Sequence, residues 1–327
     1  MPQRVVIGGA SGFLGRRIAE SFHADGAEIV RVGRAPGEIP WSAPDAIREA
    51  VDGASLVVGL SGKSVNSRYT AANRAELVRS RVETTRALGA AIAASVSPAP
   101  LWVNASTATI YRHADDRPQS ESTGELGTEL FSEDIAKAWE AALFEAELPA
   151  TRRIALRITI ALGDGGALGP LSLLARLGLG GAIHDGWWPA TPGRLAARTY
   201  LRPRTRAGRQ KFSWIHVDDL VGIVRFALEN PQLEGPVIAG SPHPTDNAGF
   251  MRELRAALGV PVGLPAQRWM LELASFALRT EAELMLKSRW VLPEKLLAAG
   301  YEFRFPELAP ALRDIFGSGP ERRRSVP

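Results

Sequence analysis

The sequence RVVIGGASGFLG at residues 4–15 decides the fold, because an apolar run leads directly into a turn with three spaced glycines. The run predicts a buried strand, and the apolar pattern of residues 13–24 predicts a helix. Gly9, Gly12 and Gly15 allow a tight turn between the two elements. A strand, a glycine turn and a helix in this order predict a loop that holds a dinucleotide pyrophosphate at the helix N-terminus.

Alternating strand and helix patterns fill the first half of the chain. Short apolar runs predict strands, and longer stretches with apolar residues every three or four positions predict helices. The predicted elements after residue 24 are strand 28–32, helix 43–51, strand 55–60, helix 70–95, strand 101–105, helix 131–146 and strand 153–162. This alternation predicts an α/β fold of the Rossmann type, a doubly wound parallel sheet with helices on both faces.

The second half is less regular and predicts a smaller lobe. Residues 182–210 are rich in Gly, Pro and Arg without a clear period, which predicts a long, partly disordered surface excursion. It is followed by strand 212–216, helix 218–229, strand 237–239 and helices 247–257 and 266–278. We expect a Rossmann domain at 1–163 and 212–240, a C-terminal substrate lobe at 164–211 and 241–316, and a polar tail at 317–327.

Composition limits the classes of protein. Of 327 residues, 45% are hydrophobic and 23% charged, values typical of a globular chain. The sequence contains no Cys, which excludes disulfides and Cys-ligated metals and fits a reducing, cytoplasmic location. We expect no metal site. The most apolar stretch, residues 171–183, contains Arg176 and is shorter than the roughly 20 residues that span a bilayer, so we expect no membrane segment and no signal peptide.

The net charge of +4 is unevenly distributed. Six Arg, one Lys and no acid lie between residues 186 and 211, and the rest of the chain holds 32 basic and 35 acidic residues. One basic segment in a slightly acidic chain does not predict a nucleic-acid-binding domain. An alternative is that residues 194–211 bind acidic partners, in which case binding should weaken strongly with salt.

The end of the second strand indicates the cofactor. Rossmann proteins that prefer NAD carry an acid there, about 20 residues beyond the glycines, which holds the ribose hydroxyls. Here the strand is followed by Gly33 and Arg34, with no acid directly at its end. A guanidinium suits a 2′-phosphate, so Arg34 favours NADP over NAD. The alternative is a solvent-exposed arginine without a ligand.

Two further strand ends carry candidate residues, because loops at the carboxyl ends of parallel strands line the ligand crevice. The first carries Leu-Ser-Gly at 60–62. The second carries Ala105 and Ser106, with Tyr111 five residues beyond Ser106. Ser106 is a candidate for hydrogen bonding to a substrate hydroxyl or carbonyl, and the alternative is a serine that only ends a strand.

Several motifs together resemble a known family. GGASGFLG at 8–15, LSG at 60–62, ASTATIY at 105–111, LRITIALGDGGAL at 156–168 and FSWIHVDDLV at 212–221 are similar to motifs of extended short-chain dehydrogenase/reductases. More closely, the chain resembles the epimerase-like family that joins an NAD-dependent epimerase/dehydratase domain to a short C-terminal domain of unknown function. Further markers are at 66–70, 80–85, 139–142, 178–181, 292–303 and 305–308, so the resemblance covers residues 3–316.

The resemblance implies an NADP site and a small-molecule substrate held partly by the C-terminal lobe. Extended members often dimerise through long helices, so the helix at 70–95 is a candidate homodimer interface. Glu76 has an alternative interpretation as a solvated helix charge. The residues placed at the cofactor by the motifs and the resemblance are Gly9, Ser11, Gly12, Phe13, Leu14, Gly15, Gly33, Arg34, Leu60, Ser61, Gly62, Glu76, Arg81, Ala105 and Ala161.

The helix after the Ser106 strand departs from the superfamily pattern. Active members use Tyr-xxx-Lys, in which the Lys lowers the pKa of the Tyr so that the phenol exchanges protons at neutral pH. The Tyr position here holds Ser132 and the Lys position Ala136, with Lys137 one residue further on. The standard relay is therefore missing, and Ser106 or Tyr111 would have to replace it.

A second departure is an insertion before Gly208 that carries Trp187, Trp188 and the Arg-rich stretch. It is either a lid that binds an anionic group or a variable surface loop. The leading prediction is an NADP-binding oxidoreductase of the epimerase/dehydratase type, with hydride transfer on an unidentified hydroxyl or carbonyl oriented by Ser106 near Tyr111. The alternative is a non-catalytic dinucleotide-binding regulatory protein that has lost the relay.

Overall fold

The computed structural model describes residues 3–277 and 279–317, and the predicted tail beyond Gly317 lies outside them. The strands are β1 Arg4–Gly8, β2 Glu28–Gly33, β3 Ile39–Pro40, β4 Leu56–Gly59, β5 Leu101–Thr107, β6 Arg152–Ile158, β7 Ile160–Leu162, β8 Ile183–His184, β9 Lys211–Phe212, β10 Trp214–His216, β11 Gly235–Ala239, β12 Thr245–Asp246 and β13 Ala266–Gln267. The helices are α1 Phe13–Ala24, α2 Pro44–Val51, α3 Ala71–Ala93, α4 Phe131–Phe144, α5 Leu168–Arg176, α6 Pro192–Ala196, α7 Val217–Glu229, α8 Asn247–Ala257, α9 Arg268–Ala277, α10 Glu283–Leu286, α11 Glu294–Ala298 and α12 Leu308–Gly317.

Seven strands form the central sheet, in the order β11-β6-β5-β4-β1-β2-β3. Every pairing in it is parallel, which confirms the predicted doubly wound Rossmann-type fold. β1 lies between β2 and β4, and the order of strands proceeds from β1 toward both edges of the sheet. In open α/β sheets a crevice for ligands forms at this reversal, outside the carboxyl ends of the strands.

The two faces of the sheet carry separate apolar cores. Along β1, Val5 and Ile7 face the core that contains α1 and α7, and Val6 faces the core that contains α2 and α3. This follows from the alternation of side chains along a strand. Because both faces are covered, the strand is apolar at every position and not at every second one.

A third apolar core lies outside the sheet and belongs to the smaller lobe. It joins β7 and β10 to α5, α8 and α12. Phe212 stacks on Phe250 there, with ring centroids 4.1 Å apart. The predicted lobe is therefore confirmed, whereas its residue boundaries stay a prediction.

Two predicted strands are each divided in two. The strand predicted at 153–162 leaves the central sheet after Thr159, because the next N–H, that of Ile160, donates to the carbonyl of Ser213 at 3.2 Å and not to β11. The strand predicted at 212–216 breaks at Ser213, whose N–H donates to the carbonyl of Arg289 at 3.1 Å. Both single-strand predictions were wrong because the interrupting partners come from distant parts of the sequence.

The prediction of a partly disordered surface excursion at 182–210 was also wrong. Ile183 and Leu201 are buried, and β8 pairs with β13. Arg268 donates to Asp185 at 2.9 Å, and both side chains are buried. Three arginines of the segment form ion pairs with other elements: Arg194 with Glu272, Arg198 with Asp134 and Arg204 with Glu129. These pairs tie the segment to the fold and leave fewer guanidinium groups for an acidic partner.

Helix α3 is two residues shorter at its C-terminus than predicted, and Thr70 caps its N-terminus by accepting the N–H of Asn73 at 3.2 Å. α9 begins at Arg268 and not at 266 because β13 precedes it, and the last predicted residue, 278, lies outside the described residues. Within the described ranges, no helix has the length and apolar character needed to cross a bilayer.

Candidate functional site

A cleft of about 1080 Å³ opens at the carboxyl ends of β1, β2 and β4. Its walls are the glycine turn after β1, the segments that follow β2 and β4, and one face of α3. The cofactor residues predicted from the sequence that line it are Gly9, Ser11, Gly12, Gly33, Arg34, Leu60, Ser61, Gly62 and Glu76. The structure therefore brings four separate segments of the prediction into one crevice.

Three glycines shape one wall of the cleft. Gly9 has φ of 81°, a left-handed conformation that glycine adopts without strain. A Cβ on Gly15 would lie 2.7 Å from the Cα of Ala10, so α1 can pack this close to the turn only with glycine there. The N-cap of α1 is Gly12, which has no side chain to accept from the N–H groups of the first turn. These donors and the positive end of the helix dipole suit an anion.

Arg34 lines the cleft with a guanidinium that is available to bind an anion. Its side chain is exposed at the end of β2, and no carboxylate in residues 3–277 and 279–317 forms an ion pair with it. By contrast, the Lys63 ammonium donates to Asn73 at 2.7 Å. Arg79 pairs with two glutamates of its own helix. An unpaired guanidinium at the rim of a crevice is suited to a phosphate.

Sequence reasoning missed half of the cleft. The residues of α3 that line the cleft recur with the period of a helix, about 3.6 residues. Because the opposite face of this helix was assigned to the core, the sequence did contain a signal for the face that lines the cleft. The segment after β2 offered no such signal. The missed lining residues are Ala35, Pro40, Trp41, Ser42, Lys63, Arg79, Ser80, Glu83, Thr84 and Ala87.

Some residues predicted at the cofactor do not line the cleft. Arg81 is buried beneath Gly62, stacks on Trp139 at 4.9 Å and donates to the carbonyl of Leu77 at 2.9 Å. It supports the wall from behind. The other predicted residues outside the lining are Phe13, Leu14, Gly15, Ala105 and Ala161, and their contact with a cofactor stays a prediction.

Ser106 and Tyr111 meet in a buried network and not in the cleft. Ser106 donates to Glu140 at 2.6 Å, and Arg157 donates to both oxygens of Glu140 at 2.8 and 2.7 Å. Arg157 also donates to the Tyr111 hydroxyl at 2.7 Å. Ser106 is 3% exposed and Tyr111 2%. Burial raises the pKa of Tyr111 to about 12, which opposes proton exchange at neutral pH. The geometry therefore favours a structural role for Ser106 and Tyr111.

Thr107 is a hydroxyl that the sequence analysis did not consider. It follows Ser106 at the end of β5, so its side chain points to the opposite face of the strand. It is half-buried, and its hydroxyl accepts the N–H of Thr109 at 3.1 Å. The sequence did contain a signal for Thr107, because side chains alternate between the two faces of a strand and this strand ends at the crevice.

The structure shows where the side chains at and beside the two relay positions lie. Ser132 occupies the first turn of α4 and Ala136 lies one turn on, fully buried. The ammonium of Lys137 donates to the carbonyl of Gly127 at 3.0 Å and pairs with Asp134. Lys137 is therefore engaged on the surface and does not replace the absent lysine.

A buried polar cluster lies where the lobe meets α4. Lys287 donates to Glu133 at 2.6 Å, and both side chains are 1% exposed. Glu283 and Tyr69 are buried beside this pair, and neither carboxylate oxygen of Glu283 has a hydrogen-bond partner within the described part of the chain. Burial raises the pKa of Glu283 to about 7, so this group is a carboxylic acid in a large fraction of molecules at neutral pH.

Glu283→Gln is expected to flatten the pH dependence of stability. Because the pKa of Glu283 is higher in the folded state than its ordinary 4.5, its contribution is complete below pH 4.5 and is lost as the pH rises to 7. The wild type should lose about 3 kcal/mol more unfolding free energy over this window than the variant. Urea unfolding at four pH values measures this. Parallel curves for the two proteins would contradict the assignment, and Glu49→Gln, an exposed site on α2, is the control.

The sheet order, the crevice at β1 and the glycine turn define a Rossmann-type protein of the extended short-chain dehydrogenase/reductase class. Comparison with known families agrees. Residues 5–133 match the NAD dependent epimerase/dehydratase family, and residues 268–315 match a domain of unknown function, DUF1731.

Similar proteins extend over the whole chain. The epimerase family protein SDR39U1 of Bos taurus is 34% identical over 321 residues, which cover 95% of this chain and 99% of that protein. A crystal structure of human SDR39U1 (isoform 2) with NADPH superposes with a TM-score of 0.82 at 30% identity, covering 97% and 100% of the two chains. A nucleoside-diphosphate sugar epimerase from Corynebacterium glutamicum gives a TM-score of 0.71 at 25% identity, covering 97% and 59%. The chain therefore belongs to the epimerase family that joins an NAD-dependent epimerase/dehydratase domain to DUF1731.

Proposed function

We propose that the protein binds NADP(H) in the cleft and acts as an oxidoreductase of the epimerase/dehydratase type on a hydroxyl or carbonyl of a small molecule. The observation that carries the proposal is the glycine-walled crevice at the reversal of strand order, with unpaired Arg34 at its rim. The NADPH in the crystal structure of human SDR39U1 supports the same cofactor.

The residues of the cleft fit a dinucleotide. A Cβ on Gly9 would lie 3.0 Å from the amide of Ser61, so the turn offers bare backbone where a pyrophosphate approaches. The N–H groups of α1 would hold that pyrophosphate, Arg34 a 2′-phosphate, and Trp41 an aromatic wall for the adenine. When bound, the cofactor supplies hydride transfer to or from a substrate carbon. The chain supplies binding, orientation and the exchange of protons.

Ser106 and Tyr111 remain our sequence-based candidates for catalysis, and their burial favours an indirect role. The Ser106 hydroxyl already donates to Glu140, so it must break that bond to donate to a substrate oxygen. Thr107 has no such carboxylate partner among the described residues and is the better candidate for contact with a substrate oxygen. If so, Thr107→Val lowers turnover more than Ser106→Ala does.

The second candidate function is a dinucleotide-binding regulatory protein without turnover. The side chain of Lys137 favours it, because this lysine donates to the carbonyl of Gly127 and does not take the place of the relay lysine. Loss of NADPH absorbance across a panel of ketones, aldehydes and nucleotide sugars separates the two functions. Tight NADPH binding with no oxidation by any member of such a panel supports the regulatory function.

Arg34→Gln is expected to weaken NADPH binding by about 10- to 100-fold, because a hydrogen bond to a charged group contributes about 1.5–3 kcal/mol. The same change should alter NADH binding by less than about twofold, since NADH lacks the 2′-phosphate. Isothermal titration calorimetry measures both. Arg313→Gln removes an exposed charge on α12 and serves as the control. Failure of the wild type to bind either dinucleotide would overturn the proposed function.

A further inference from the structure

An acid reaches the end of β2 from further along the chain. Glu38 lies five residues beyond Gly33, and the intervening turn brings it back, with the N–H of Glu38 donating to the carbonyl of Ala35 at 3.1 Å. The Glu38 carboxylate in turn accepts the N–H of Ala35 at 3.0 Å. Gly37, at φ of 81°, supplies the left-handed residue that this tight return requires.

The Glu38 carboxylate fills the space that a side chain on Gly33 would occupy. Its carboxyl carbon lies 2.9 Å from the position of a Cβ built on Gly33, and one of its oxygens lies closer still. Glycine at 33 is thus what admits the carboxylate. The last residue of the second strand is where NAD-preferring Rossmann proteins place the acid that binds the adenosine ribose. We expected no acid at the end of this strand. This is correct for the residues that directly follow the strand, but the folded chain brings the Glu38 carboxylate to that position.

Arg34 and Glu38 bring opposite charges to the same wall of the cleft. Gly33, Arg34 and Ala35 line the cleft, and the Glu38 carboxylate, which is not itself part of the lining, rests directly behind them on Gly33 and the Ala35 N–H. A 2′-phosphate is attracted by the guanidinium and repelled by the carboxylate. A free 2′-hydroxyl can donate to the carboxylate and gains little from the guanidinium.

We propose that Glu38 is a second determinant of cofactor selectivity, a carboxylate that stands in for the ribose-binding acid of NAD-preferring proteins and opposes Arg34. This inference rests on the proposed function. It predicts a wild-type protein that binds both NADPH and NADH and discriminates between them only modestly. It also predicts that the Glu38 carboxylate limits the selectivity for NADPH. Removal of this charge should therefore increase the preference for NADPH that Arg34 provides.

Calorimetric titrations of NADPH and NADH into the wild type and Glu38→Gln test the proposal. Glutamine keeps an oxygen that can accept the N–H of Ala35, so the turn is retained while the charge is removed. We expect NADPH to bind about tenfold more tightly and NADH about tenfold more weakly, each factor equivalent to 1.4 kcal/mol. The gain for NADPH should shrink at high salt, because it arises from removal of a repulsion. Glu49→Gln makes the same charge change outside the cleft and should leave both affinities unchanged.

The outcomes are separable. If the wild type binds a dinucleotide and the ratio of the two affinities in Glu38→Gln stays within twofold of the wild-type ratio, the inference is overturned and the proposed function stands. If the wild type binds neither dinucleotide, the proposed function is overturned and this inference with it. A change of ratio that Glu49→Gln reproduces would show a general charge effect and would also overturn the role of Glu38.

Discussion

Lys287→Met is expected to lower the free energy of unfolding by about 3–5 kcal/mol, the usual cost of removing one partner of a buried ion pair. Lys287 donates to Glu133 at 2.6 Å and to the carbonyl of Thr109 at 2.8 Å. Methionine fills most of the volume but donates to neither, so the Glu133 charge is left buried without its cation. This one ammonium joins the segment after α10 to α4 and to the turn after β5.

The double variant Glu133→Gln/Lys287→Met is the matched control. The Glu133 carboxylate also accepts the N–H groups of Glu129 and Leu130, each at 2.8 Å, and glutamine keeps an acceptor for them. With the charge of Glu133 removed as well, the double variant should recover most of the lost stability, as other buried pairs do when both charges are removed. Urea unfolding at pH 7 gives the free energies. A loss below about 1 kcal/mol in the single variant, or a double variant no more stable than the single one, would contradict this account.

Local patterns in the sequence were enough for six of the seven strands of the central sheet, whereas β3 was not predicted. The six strands and the helices around them depend on apolar patterns within the segment itself. The breaks after Thr159 and at Ser213 depend instead on distant partners: the N–H of Ile160 donates to Ser213, and the N–H of Ser213 donates to Arg289. No pattern within either segment carries those contacts, so the division of the two strands could not be predicted.

The candidate site follows the same distinction. The glycine turn and the residues at strand ends were predictable because the parallel topology fixes where strand ends meet. Glu38 was missed because its proximity to Gly33 depends on a turn and not on adjacency in sequence. The folded state of 182–210 depends on pairs such as Arg204 with Glu129, at 2.7 Å, between residues that no local motif connects.

Gly15→Ala is expected to reduce NADPH affinity by at least about 100-fold, a loss near 2.7 kcal/mol. The added methyl would lie 2.7 Å from the Cα of Ala10 and 2.9 Å from its carbonyl oxygen. These are backbone atoms of the turn, so relief requires the turn itself to move away from α1. Gly9 would then no longer hold its place against Ser61. The N–H donors that the proposed function assigns to the pyrophosphate would lose their common orientation, which is the property that makes a helix N-terminus an anion site.

The effect of Gly15→Ala on binding must be separated from its effect on folding, and the chain offers a suitable control. Gly169 lies in α5, and a Cβ built there meets no atom within 4 Å beyond its two neighbours in the chain, so Gly169→Ala should keep wild-type affinity. Gly15→Ala should remain folded by circular dichroism while its unfolding free energy falls by about 1–3 kcal/mol. Calorimetry with NADPH on the folded variant then reports the geometry of the turn alone. Wild-type affinity in a folded Gly15→Ala protein would mean that the pyrophosphate is not held by this turn, and the proposed site would have to be placed elsewhere in the crevice.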